Sequence, residues 1–257
     1  MAGGDLPEGG RMKLGLSSAA APDAGLDELL AICARRGLAV LDLRVGDAHG
    51  VEGPMYGLGG AAAAERARAA GVRVSAFRSS GEGQDLRAAP VAAAAGAPVL
   101  VGGGPSLTAR VRRGHTVTAR DARAVVVLDG EASTVDLELV LATDLELAWD
   151  VDVAAGSVGG AAERILGAAG GRLRHIRILG GGPEAAMQEG HGVGELMSRL
   201  ALAGYDGTVI LAPSSSRYRV AWQHWLGRRG GWGCGSKSAD PSLVSLEGPL
   251  LGVGGGA

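Results

Sequence analysis

LELAWDVDVAAGSVGGAAERILGAAGGRLRHIRILGGG, residues 145–182, reads as a complete strand, helix and strand with ionisable groups on both strands. Between 145 and 152 the alternation is strict: Leu145, Leu147, Trp149 and Val151 fall on one face and Glu146, Ala148, Asp150 and Asp152 on the other, because successive side chains of a strand point to opposite sides. In residues 173–179, His175 and Arg177 likewise share a face. Parallel strands whose apolar faces meet helices, and whose other faces carry acids, a histidine and an arginine, are expected to be neighbouring staves of a barrel with chemistry at its mouth.

The pattern recurs on both sides of this stretch. MKLGLSS from Met12 is a first strand, and residues 25–37 form an amphipathic helix closed by Gly37. AVLDLRV at 39–45 is a second strand, with Leu41 and Leu43 opposite Asp42 and Arg44. A loop carrying Asp47, His49 and Glu52 precedes an Ala-rich helix at 61–70, and GVRVSAFRSS supplies a third strand ending in Arg78, Ser79 and Ser80. A short helix leads to APVLVGGG, the fourth strand, whereas residues 105–120 show no readable periodicity. The fifth strand lies in ARAVVVLDG at 122–130, an apolar run suited to burial on both faces and closed by Asp129. A helix at about 131–141 precedes the opening stretch, and a helix at 192–203, an eighth strand at 207–215 and a final helix at 216–228 follow it.

Eight strands separated by helices or helix-length connections predict an α/β protein, a (β/α)8 barrel occupying residues 12–228 as a single domain. Residues 1–11 are expected to form a disordered leader and residues 229–257 an irregular Gly-rich tail. A doubly wound open sheet is the alternative, but no GxGxxG opens a helix after the first strand, and VGGGP at 101–105 is a lone glycine cluster.

Bulk properties narrow the function classes. A net charge of -2 over 257 residues argues against a broad nucleic-acid or anionic-membrane footprint. Cys33 and Cys234 have neither the spacing nor the histidine companions of a zinc site or disulfide framework, and Cys33 reads as a small core residue. No apolar run approaches the roughly 20 residues of a membrane span and no export signal opens the chain, so the cytoplasm is the default compartment. Trp222, Trp225 and Trp232 suit packing of the last helix or a subunit interface, which leaves a homo-oligomer open.

In a barrel of this type reactive groups sit at the C-terminal ends of the strands. That selects Ser17, Arg44, Arg78, Asp129, Asp150, Asp152, His175, Arg177 and Ser214, with His49 and Glu52 on the second loop. Several guanidinium groups aimed at one mouth suit a small anionic ligand, through bidentate bonds to carboxylate or phosphate; the other reading is that Arg44, Arg78 and Arg177 pair with Asp42, Asp129, Asp150 and Asp152 in a structural network. Asp150 and Asp152 offer a general base or metal ligand, and His175 a proton-transfer group or a core histidine. Ser214 to Ser216 either cap the final helix or receive an anion there. No GxSxG elbow supports a hydrolase triad.

With these residues laid out, the chain resembles the xylose isomerase-like barrel superfamily, the sugar phosphate isomerase and epimerase group. MKLGLSS with LDELLAICARRGLAVLDLR looks like its opening strand, helix and second strand; LAWDVD like its acidic sixth strand; LRHIRILGGG like its histidine-bearing seventh; and GHGVGELMSRLALAGYDGTVILAPSS like its closing motif. The resemblance implies proton transfer between adjacent carbons of a sugar, usually at a divalent metal held by two Glu, an Asp and a His. Asp150 matches the family's aspartate and Asp129 lies near its first carboxylate, but Arg177 stands where a second histidine is usual, and Ala212 where the last strand usually ends in Glu. A cation in place of a nitrogen ligand and a methyl group in place of a carboxylate disfavour a tightly bound divalent metal. The resemblance therefore implies a metal-free isomerase or epimerase for a small anionic carbohydrate, with no cofactor, in which Asp150, His175 and Arg177 do the chemistry and Arg44, His49, Arg78, Asp129, Asp152 and Ser214 bind the substrate. The alternative is a non-catalytic barrel that binds a small anion or a partner protein.

Overall fold

In the computed structural model eight parallel strands close, in chain order, into one barrel, with β1 hydrogen-bonded to β8. The structure describes residues 12–49, 51, 59–79, 85–102, 106–130, 132–152, 159–180 and 193–213. The strands are β1 Lys13–Ser17, β2 Val40–Val45, β3 Arg73–Ser79, β4 Val99–Val101, β5 Ala124–Asp129, β6 Glu146–Asp152, β7 Leu173–Gly180 and β8 Thr208–Pro213. Seven described helices alternate with them: α1 Leu26–Arg36, α2 Gly59–Ala69, α3 Asp85–Ala95, α4 Leu107–Thr118, α5 Thr134–Leu141, α6 Gly159–Ala169 and α7 Val193–Leu202. The expected final helix at 216–228, the leader, the tail, Glu52, Ser80 and Ser214 lie outside the described residues.

Strand alternation separates two apolar layers. Leu147, Trp149 and Val151 of β6 and Ile176 and Ile178 of β7 join the layer beneath the helices, with Leu29 of α1, Ile165 of α6 and Leu196 of α7. Trp149 is buried there, and its indole N–H donates to the Gly130 carbonyl at 2.7 Å, which removes the cost of burying that polar edge. Inside the barrel, Ala76, Leu100, Val125, Val127 and Ala148 form a separate, smaller cluster. It closes the interior, so the barrel is a packed core with a polar end rather than a pore.

Two helices differ from their expected form for identifiable reasons. α4 fills the stretch that lacked readable periodicity; Ser106 caps it by accepting from the Ala109 amide, and its buried face is built from Arg110, Val111, Gly114 and Val117. A buried arginine and glycine break the apolar repeat. The glycine lets α4 approach closely, because a Cβ at Gly114 would lie 2.9 Å from Leu145 Cδ1. α3, expected to be short, runs for 11 residues through Pro90, and its run of alanines gives almost no amphipathic contrast. Close approach accounts for part of this small-residue bias: a Cβ at Gly60 of α2 would collide with the Val91 carbonyl oxygen of α3. Cys33 lies in the α1 core, where burial pushes its thiol up to about 12, as a small apolar residue would lie.

Candidate functional site

Strand register brings the ionisable groups of the opening stretch together. Asp150 of β6 pairs with Arg177 of β7 on one side and with Asp129 of β5 on the other. Arg177 Nη1 donates to both Asp150 carboxylate oxygens, each at 3.0 Å, with both residues buried. Across the barrel, Arg177 Nε is 3.6 Å from Asp42 Oδ2 of β2, and Arg78 Nη1 of β3 is 3.8 Å from Asp150 Oδ2. Four strands thus contribute one cluster of two arginines and two aspartates near the C-terminal end of the barrel.

Burial dominates its electrostatics. It pushes the Asp150 carboxyl up to about 7; the Arg78 charge pulls against it, while the carboxylates of Asp129 and Asp42 add to it. Asp42 has no exposed surface, and its carboxyl is likewise pushed up by burial, to about 6, against the pull of Arg78. Arg177 Nε is buried without a hydrogen-bond partner among the described residues, and the Ser17 hydroxyl, opposite Asp42 on β1, also pulls against the rise of the Asp42 carboxyl. Gly102, just after β4, makes room for this cluster: a Cβ there would stand 2.8 Å from Arg78 Nη2.

A second tier lies toward α3 and α4. Arg110 donates from Nη1 to the Val127 carbonyl at 2.8 Å and from Nη2 to Asp129, whose side chain is 60% exposed. Arg113 Nε lies 3.3 Å from the buried Asp85 at the start of α3, and its Nη2 donates to the Gly102 carbonyl at 3.2 Å. Burial raises the Asp85 carboxyl against the charges of Arg113, Arg78 and Arg110. Sequence reasoning missed Asp85, Arg110 and Arg113. The available signal was the three-residue spacing of Arg110 and Arg113, which puts two cations on one side of a helix that begins beyond the fourth strand.

The remaining expected residues spread around this cluster. Arg44, at the end of β2, is half-buried and lies 3.5 Å from Asp47. His49 is buried; its Nδ1–H donates to the Ala24 carbonyl at 2.7 Å and its Nε2 faces Asp47 at 3.6 Å, so it pins the loop after β2 against the segment that leads into α1. Asp152 ends β6 in an exposed position. His175 is placed differently from its expected strand-end position. It is the third residue of β7, which continues to Gly180, and it therefore belongs to the N-terminal half of the barrel. There the Thr208 hydroxyl donates to the Arg174 carbonyl at 3.1 Å and accepts from His175 Nδ1–H at 2.6 Å. Burial lowers the imidazole to about 4, so it is neutral at ordinary pH.

The described donors at the cluster do not fit a divalent cation. Both Asp150 oxygens face the Arg177 guanidinium, Ala212 at the matching end of β8 offers no donor, and His175 is engaged in the layer below. Among the described residues no three His, Cys, Asp or Glu side chains converge as a metal would require. No described helix is long and apolar enough to cross a membrane.

No protein-family model matches the chain, and no curated protein matches its sequence. Solved structures do resemble it. A xylose isomerase domain containing protein from Salmonella typhimurium matches at a TM-score of 0.58 with 11% identity, covering 85% of this chain and 96% of its own. An L-ribulose 3-epimerase matches at 0.59 with 12% identity, covering 90% of each chain. The D-psicose 3-epimerase of Clostridium cellulolyticum, solved with D-tagatose, matches at 0.54 with 15% identity, covering 85% of this chain and 91% of its own. At such identities the likeness is one of architecture, and it carries no ligand or reaction with it. The closed eight-stranded barrel and these neighbours together assign the chain the (β/α)8 barrel fold.

Proposed function

We propose that this barrel is a sugar isomerase or epimerase acting on a small anionic carbohydrate, such as a sugar phosphate, by proton transfer without a tightly bound divalent metal. The observation that carries the reading is the Asp150–Arg177 pair at the C-terminal end of β6 and β7, with Asp150 at about 7. A carboxyl group held near the operating pH both takes and returns a proton efficiently. Arg177 and Arg78 supply positive charge where an enediolate oxygen would develop, a service a metal provides in other isomerases. Asp150 takes the proton from the carbon beside the carbonyl, and the electron pair passes to the carbonyl oxygen to give the enediolate. Asp150 then returns the proton to the neighbouring carbon on the same face as the hydroxyl proton moves between the two oxygens. Arg44, Arg78 and Asp129, the more exposed members, face the substrate; Asp42 holds Arg177 from across the barrel. His175 takes a positioning role in the lower layer in place of the chemical one expected of it, His49 a positioning role in the loop in place of substrate binding, and Asp152 and Ser214 remain candidates for substrate binding.

A second reading has its own support. Asp150 and Arg177 satisfy one another directly, and a cluster that consumes its own charges suits a non-catalytic barrel that binds an anion through Arg44 and Arg78. Proton NMR in heavy water with a panel of ketose and aldose phosphates decides between them. Loss of a carbon-bound proton signal beside the carbonyl supports the isomerase; binding to the panel without any exchange supports the second reading.

A further inference from the structure

The N-terminal end of the barrel holds a cavity of about 610 Å³, remote from the Asp150–Arg177 cluster. Its walls come from the starts of the strands: Lys13 opens β1, Arg73 opens β3, Arg123 immediately precedes β5 and Arg174 is the second residue of β7. Arg68 of α2 adds a fifth cation. Two carboxylates oppose these five charges, Asp206 and Glu146. Glu146 is already divided between two guanidinium groups, 2.7 Å from Arg123 Nη2 and 3.2 Å from Arg174 Nε. Lys13, Arg68 and Arg73 have no ion-pair partner among the described residues. This excess stands out in a chain whose overall charge is -2.

We propose that this cavity is a binding site for a polyphosphate group, either inorganic or carried by a nucleotide. Like charges around a hollow raise one another's energy, and burial and the neighbouring Arg123 both lower the Arg73 guanidinium; a polyanion relieves that repulsion. The two ion pairs to Glu146 hold Arg123 and Arg174 in place beforehand, so less side-chain freedom is lost on binding. Guanidinium forks match phosphate oxygens bidentately. The volume falls within the range of small-molecule sites, roughly 300–1,000 Å³. A single phosphate would leave most of the cations unused, so the proposal specifies several linked phosphates.

Calorimetric titration of the full chain at low salt with tripolyphosphate, ATP and adenosine tests it. Saturable binding of tripolyphosphate and ATP but not adenosine is expected, weakening at least tenfold in Arg68→Ala/Arg73→Ala and, independently, severalfold in Lys13→Gln, with affinity falling as salt rises. Equal affinity for tripolyphosphate and ATP identifies the phosphate chain as the ligand, and clearly tighter ATP binding identifies a nucleotide. Absence of binding, equal binding of adenosine, or affinity unchanged in both variants overturns the proposal. So does loss of tripolyphosphate binding in Arg78→Gln alone, which would place the anion at the opposite end. These readouts do not depend on turnover, so they fail or succeed separately from the isomerase reading.

Discussion

Arg177 Nη1 sits 3.0 Å from both oxygens of Asp150, across adjacent strands and almost entirely out of solvent. At pH 8, with Asp150 ionised, removing the cation leaves two buried carboxylates, Asp150 and Asp42, without it. Arg177→Met should destabilise the barrel by about 3–5 kcal/mol, the usual cost of breaking a buried pair. Combining it with Asp150→Asn should cost clearly less than the two changes added. Urea unfolding of the four proteins measures the coupling, and strict additivity would show that the two groups do not act as a pair.

Opposite pH dependences should separate Asp150 from His175. The Asp150 carboxyl is raised in the fold, so its contribution to stability is complete below the unfolded carboxylate value of about 4 and is lost as pH rises through about 7. His175 is lowered, so its contribution is complete above the unfolded imidazole value of about 6.5 and is lost as pH falls through about 4. The stability difference between wild type and Asp150→Asn should therefore shrink from pH 4 to 7, whereas that between wild type and His175→Gln should grow from pH 4 to 6.5. Denaturant titrations across this range check both signs.

Gly102→Ala should leave stability nearly unchanged and still weaken anion binding at the C-terminal end. The added methyl group meets the tip of the flexible Arg78 side chain, which swings away at little cost. The expected signature is an unaltered melting temperature with a severalfold rise in KM for the substrate, or in Kd for a competing anion. A large drop in melting temperature would instead indicate that Arg78 is locked in place.

Gly15→Ala should behave in the opposite way. A Cβ at Gly15 would lie 2.4 Å from the Val40 carbonyl oxygen and 2.9 Å from Ile210 Cδ1, so backbone rather than a side-chain tip must yield. Overpacking of this kind costs about 1–3 kcal/mol or more, and thermal unfolding should show the loss directly.

The features encoded locally in the chain are the ones its sequence displays. Strand alternation in residues 145–152 and 173–179 placed Asp150 and Arg177 on the inner wall, and the repeat of that pattern predicted the barrel, because alternation follows from backbone geometry alone. It could not say how far β7 continues past His175, so the histidine was expected at the mouth although it lies in the lower layer, bonded to Thr208. Asp42 was visible only as a possible partner; its contact with Arg177, from β2 to β7, depends on the closure of β1 on β8. Arg110 and Arg113 were hidden because a helix that buries an arginine and a glycine carries no apolar stripe.

Asp150, paired with Arg177, is proposed to exchange a substrate proton without a divalent ion. Deuterium uptake from heavy water into a phosphorylated ketose, measured on chelator-treated protein whose metal content has been determined, tests it most directly. Uptake should persist after metal removal and fall at least a hundredfold in Asp150→Asn. Uptake that appears only when manganese, magnesium or cobalt is restored, or that survives Asp150→Asn, would contradict it.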